Sequence, residues 1–304
     1  MNNVNNNKKN SLQVSSHYIA VLGLLFGAVC WGIIWYPYRL MAEAGISGAV
    51  SSFYTYCMAT AIASIFCVKY WRSFFKLSPS IIWLAIVAGW TNLAYVLAVI
   101  DGEVMRVMLL FYLSPLWTLI LAHFWLKEKT QFAGCIAIAV SLLGAFIMLY
   151  EPSVSSLPLP KNTSEWLALS SGIGFSLSNV ITRQATHLTV RAKSFAVWVG
   201  VLLVSLVFIL ATKVTFPTPQ SFSALQLVYM LAATLLLMVA TLVVQYGVTK
   251  MAATQASVLF VFELVVAAIA SYYLAHETMA MNEWIGGGFI MAAAIFATYN
   301  HNDA

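Results

Sequence analysis

Ten times along the chain an apolar stretch of about 20 residues runs on before a polar or turn-forming break interrupts it. The windows fall at residues 17–38, 48–69, 81–100, 104–125, 131–150, 164–184, 193–212, 223–246, 253–275 and 281–299. A helix rises ~1.5 Å per residue, so each window can cross the ~30 Å hydrocarbon core of a bilayer. Lipid offers the backbone no hydrogen-bond partner, which leaves the helix as the conformation for every window. The expected fold is an all-α polytopic membrane protein with ten transmembrane helices. Composition agrees: 8% of the residues are charged, against about 25% in a soluble domain.

Residues 1–16 are Asn-rich and without periodicity, and read as a disordered cytoplasmic tail; residues 151–163 read as a periplasmic linker and 300–304 as a C-terminal tail. Lys and Arg set the orientation. Lys8, Lys9, Lys69, Arg72, Lys76, Lys127, Lys129, Arg183, Arg191, Lys193 and Lys250 share the side of the N-terminus, whereas Arg39, Arg106, Lys161 and Lys213 lie opposite. The positive-inside rule then puts both termini in the cytoplasm. The same bias explains the net charge of +5 without invoking nucleic acid.

The chain also repeats itself. A shift of 149 lays LLFYLSPLWTLILAHFWLKEK (109–129) over VLFVFELVVAAIASYYLAHET (258–278), so that Ser114 meets Glu263 and Glu128 meets Glu277. A shift of 144 lays Trp31, Trp35 and Arg39 over Phe175, Asn179 and Arg183. Two repeats of five helices result, at 17–150 and 164–299. Five crossings are an odd number, so the second repeat must run upside-down to the first. Inverted repeats of this kind build alternating-access transporters, with the site near the midplane between them.

With AVCWG (28–32) in the first helix, RVMLLFYLSPLWTLILAHFWLKE (106–128) closing the fourth, and the spacings Glu128 to Gly144 and Glu277 to Gly286, the chain resembles the EamA type of the drug/metabolite transporter superfamily. The resemblance spans about residues 17–299. It implies ten helices in two inverted five-helix repeats, exporting small metabolites across a bacterial inner membrane. It also implies that the fifth helix of each repeat (131–150 and 281–299) packs outside the substrate basket, where Gly286, Gly287 and Gly288 suit close helix contact.

Glu263 stands alone near the middle of its window, at about the depth of the bilayer midplane. An acid there costs at least ~2.5–3.5 kcal/mol. It is read as a proton-coupling group or a counter-ion for a substrate ammonium, with a structural acid bonded to a neighbouring helix as the alternative. Its repeat counterpart is Ser114. Pro115 frees the carbonyl of Phe111, either to line a cavity or to serve as a hinge; a tolerated kink is the other reading. Asn92, with Tyr95 one turn on, Asn179 and Gln245 either bridge helices or hydrogen-bond the substrate. Trp31 and Trp35 form an interfacial belt or, with Tyr112, an aromatic lining. Arg39 and Arg106 are candidate gate residues, and for Arg106 a solvated pairing with Asp101 or Glu103 is the plainer reading.

No phosphate-binding loop, HExxH or CxxC occurs. No catalytic residues, metal or cofactor are expected, and the chain is read as no enzyme. The functional expectation is a secondary-active or facilitative inner-membrane transporter exporting small metabolites such as amino acids, through a midplane cavity near Glu263. Protons are a candidate coupling ion, membrane lipid is the solvent, and a homodimer is left open. Lipid scrambling or flipping, drug efflux and a membrane enzyme are the alternatives.

Overall fold

The computed structural model describes residues 2–67, 78–101, 107, 110–127, 132–149, 160, 162–274 and 281–299. They form an all-α bundle of ten helices, two of them interrupted. The first half of the chain contains α1 (Asn2–Glu43), α2 (Gly48–Cys67), α3 (Pro79–Asp101), α4 (Ser114–Leu121, ending in a π-helical turn Ala122–Leu126) and α5 (Phe132–Leu149). The second contains α6 (Thr163–Gln184), α7 (Val190–Thr212), α8 (Ala224–Lys250), α9 (Ala253–Phe260 and Phe262–Leu274) and α10 (Met281–Tyr299).

Local chemistry accounts for where the second-repeat helices start. Asn162 caps α6 by accepting the Glu165 N–H, and Thr189 caps α7 by accepting that of Ala192. Ser223 and Gln226 form a reciprocal capping box at the head of α8. Each satisfies donors that the first turn leaves orphaned. At the other end of the chain, α1 runs on from Asn2, so residues 2–16, expected as a structureless tail, are helical. Once the long apolar run has nucleated, extending the helix fixes only one residue per added bond.

The helices pair across the two halves of the chain. α1 packs on α8 and α3 on α6; α2 packs on α7, α4 on α9 and α5 on α10. Exchanging the first five helices for the last five carries this set of pairs onto itself. Small residues let the pairs approach closely. A Cβ added at Gly144 of α5 would lie 2.8 Å from the Gly286 carbonyl of α10, and one at Gly89 of α3 would lie 2.6 Å from the Gly200 carbonyl of α7.

Among the described residues four helical stretches, His17–Glu43, Pro79–Ile100, Val190–Thr212 and Ala224–Lys250, are long and apolar enough to cross a membrane on length and composition alone, against the ten that the sequence predicts. α2 has the 20-residue length but carries several hydroxyls, while α4 and α9 are divided within their apolar runs. Large apolar side chains such as Phe132 (82% exposed), Phe124 (77%) and Val207 (66%) face outward, which is the surface a hydrocarbon solvent requires.

Candidate functional site

The two interruptions fall at corresponding places. In α4, residues 110 and 111 are helical, Tyr112 and Leu113 form a turn, and a new helical piece begins at Ser114. In α9 the first piece ends at Phe260, Val261 is the turn, and the second piece begins at Phe262. The shift of 149 carries Tyr112 onto Val261. Pro115 stands at the start of the new α4 piece, a position where its missing N–H costs nothing. It therefore opens a helix instead of kinking a continuous one. Leu264, its counterpart, keeps its N–H but directs it to the Val261 carbonyl (3.1 Å), three residues back.

The carbonyl that Pro115 frees does not line an open space. A Cβ at Gly172 of α6 would stand 2.7 Å from the Phe111 oxygen, so only a bare backbone fits over it. The Ser114 carbonyl accepts a hydrogen bond from Ser176 Oγ of α6 (2.7 Å). On the opposite side, a Cβ at Gly32 of α1 would stand 2.9 Å from the Glu263 carbonyl. Gly32 and Ser176 correspond under the shift of 144, and Glu263 and Ser114 under that of 149. Each broken helix is thus approached at the same point by the first helix of the other half of the chain.

Glu263 sits in the first turn of the second α9 piece, where the helix dipole favours negative charge. It is half-buried. The hydroxyls of Tyr95 (α3) and Tyr112 (α4) lie close enough to interact with its carboxyl; the Tyr112 contact is looser than a full hydrogen bond. A chain of aromatic rings runs on from these two phenols. Phe111 touches Tyr95 (5.1 Å between ring centres), Tyr112 (5.5 Å) and Phe175 (5.5 Å), and Phe175 touches Phe260 (5.0 Å). These rings come from α3, α4, α6 and α9. The arrangement offers one carboxyl, two phenols and the faces of several rings, chemistry suited to an ammonium or an aromatic group.

Other residues singled out above lie elsewhere. Asn92 Nδ2 donates to the Tyr56 hydroxyl on α2 (3.0 Å), leaving its buried carbonyl oxygen without a partner. Gln245 accepts from Thr182 Oγ1 (3.1 Å) and so joins α8 to α6. Asn179 is 4% exposed, and its Nδ2 has no partner. Trp31 packs in the α1–α8 core, and Trp35 stands edge-on to Tyr36 (5.6 Å). Arg39 is exposed and pairs with Glu43 on its own helix (3.2 Å). Arg106 lies outside the described residues, as do Glu128 and Glu277.

Two features escaped sequence reasoning. Phe111 and Phe175 read as ordinary apolar residues, although the repeat laid Phe175 over Trp31. Lys193 enters the sequence reading only as one of the basic residues on the side of the N-terminus, yet it is 0% exposed. Its ammonium donates to the Thr182 carbonyl (2.6 Å) and to Thr249 Oγ1 (3.0 Å). Thr182 lies in the last turn of α6, where carbonyls lack helical partners.

The sequence matches the profile of the EamA-like transporter family over residues 18–150 and again over 162–299. No curated protein matches it. A crystal structure described only as that of a protein superposes with a TM-score of 0.77 at 14% identity, covering 93% of this chain and 97% of its own. At that identity the likeness concerns the fold.

Proposed function

The chain belongs to the EamA-like transporter family, a family of multi-pass membrane transporters, and from that premise we propose that it moves a small metabolite by alternating access past Glu263. In this reading all ten helices cross the membrane, as two five-helix repeats of opposite orientation (17–150 and 164–299), with both termini in the cytoplasm of a bacterial cell. The solute is a small polar or amphipathic metabolite, an amino acid being the first candidate, and the direction is export. Its ammonium or aromatic group is met by the Glu263 carboxyl and the rings beside it. Protons are the coupling ion.

One observation carries the reading: the lone central acid begins the second piece of a broken helix and faces the corresponding break in the other repeat. Discontinuous helices at a midplane repeat interface are where transporters place substrate and ion sites, because a helix end supplies dipole and free backbone groups. The pairing of helices supports the repeat but refines the motion. Every repeat helix packs mainly on helices of the other half, so the moving bodies are mixed sets such as α1 with α8 and α3 with α6. In the same reading Pro115 is the hinge, and Arg39 and Arg106 are the gate residues.

The test is solute flux in proteoliposomes with and without a pH gradient. Gradient-dependent flux that disappears in Glu263→Gln is expected. Flux whose gradient dependence survives the substitution removes Glu263 from proton coupling.

A further inference from the structure

The transport reading makes no use of the burial of Lys193. That residue stands in the first turn of α7, the end of a helix that disfavours a cation. It is nevertheless wholly buried, and the oxygens it reaches, those of Thr182 and Thr249, are neutral. An ammonium has three N–H donors, so one remains. Among the described residues no carboxylate pairs with Lys193. A buried unpaired charge is expensive, and such charges persist where a counter-charge arrives. One turn before Thr182 on α6, Asn179 presents a buried amide donor with no partner.

We propose that Lys193 and Asn179 form a buried station for an oxyanion, a carboxylate or a phosphate, separate from the Glu263 site. The separation follows from α6. Phe175 marks the level of the α9 break and Thr182 the level of the Lys193 ammonium, seven residues or roughly 10 Å apart along the helix. The ammonium and carboxylate of an α-amino acid, each reaching out by a hydrogen bond of about 2.8 Å, span about 9 Å at most. In the transport reading the solute meets Glu263 and Lys193 in turn. The role of the station on a solute route rests on the transport reading, but the binding itself does not.

The test is binding of radiolabelled benzoate and, separately, benzylamine to the purified full-length protein, with inorganic phosphate as competitor. Wild type binds both, and phosphate displaces benzoate alone. Lys193→Met weakens benzoate at least about tenfold, the loss expected of a charge-assisted hydrogen bond. Asn179→Leu weakens it less and leaves every Lys193 bond in place, so it stands in should Lys193→Met fail to fold. Benzylamine binding moves in neither variant. Repeating the assay in nanodiscs of phosphatidylcholine or phosphatidylglycerol separates the sources: displacement of benzoate by phosphatidylglycerol alone assigns the station to a lipid phosphate, and no displacement assigns it to a soluble carboxylate. Glu128→Gln leaves benzoate unchanged; tighter benzoate binding in that variant means that the chain fills its own site, and overturns the proposal. So does benzoate binding that is absent in wild type or equal in wild type and both variants. Loss of flux with benzoate binding intact would sink the transport reading and spare this one.

Discussion

The breaks in α4 and α9 reach one geometry by different chemistry. In α4 the interruption is covalent, because Pro115 has no N–H to give Phe111. In α9 the corresponding Leu264 has an N–H and turns it on a carbonyl three residues back. The first break carries neutral Ser114, whose carbonyl is tied to Ser176; the second carries Glu263. Symmetry of the backbone has thus been kept while the chemistry has been placed on one side only. Both halves carry a broken helix, but a single carboxyl is enough to take up a proton or meet a cation.

Substitutions at the two breaks should separate these roles. Glu263→Gln is expected to have the largest effect, reducing gradient-driven flux to the level without a gradient, whereas Ser114→Ala should leave flux within about twofold. Equal losses in liposome flux would mean that the sides are chemically alike after all. Next come the glycines that admit each break. Gly172→Leu and Gly32→Leu each push a side chain into a backbone carbonyl and should destabilise by about 3 kcal/mol or more, read as a lower melting temperature in detergent. The two glycines occupy different positions in their helices, so similar shifts mean that both breaks depend on close approach of the opposing helix, and a shift in only one means that a single break does. Pro115→Ala restores an N–H to α4 and should change thermal stability by about 1 kcal/mol or less, with a measurable slowing of flux if the break is a hinge. Smallest is Tyr112→Phe, which removes a loose contact to Glu263 and should alter solute affinity by less than about tenfold.

The aromatic chain beside Glu263 was only half legible beforehand. Tyr95 stands out because it follows Asn92 by one turn, and Tyr112 as part of an aromatic lining. Phe111 and Phe175 carry no such mark, and their value comes from which helices meet. Asn92 and Gln245 show the converse. Each is conspicuous in sequence, yet one is bonded to Tyr56 and the other to Thr182, so at least part of their polarity joins helices. Lys193 shows the sharpest difference: four residues from a turn, it reads as one of the basic residues on the side of the N-terminus, and only the approach of α6 and α8 buries it.

What the chain determined by itself was the number of apolar runs, their helical form, the doubling of the pattern and the isolation of one acid. Those depend on transfer energies and hydrogen-bond satisfaction, which act on each segment alone. Tertiary structure decided where α4 and α9 break, which rings lie beside Glu263 and which cation loses its water. Those depend on how closely backbones approach, and a glycine's worth of space is visible only once the neighbouring helix is in place.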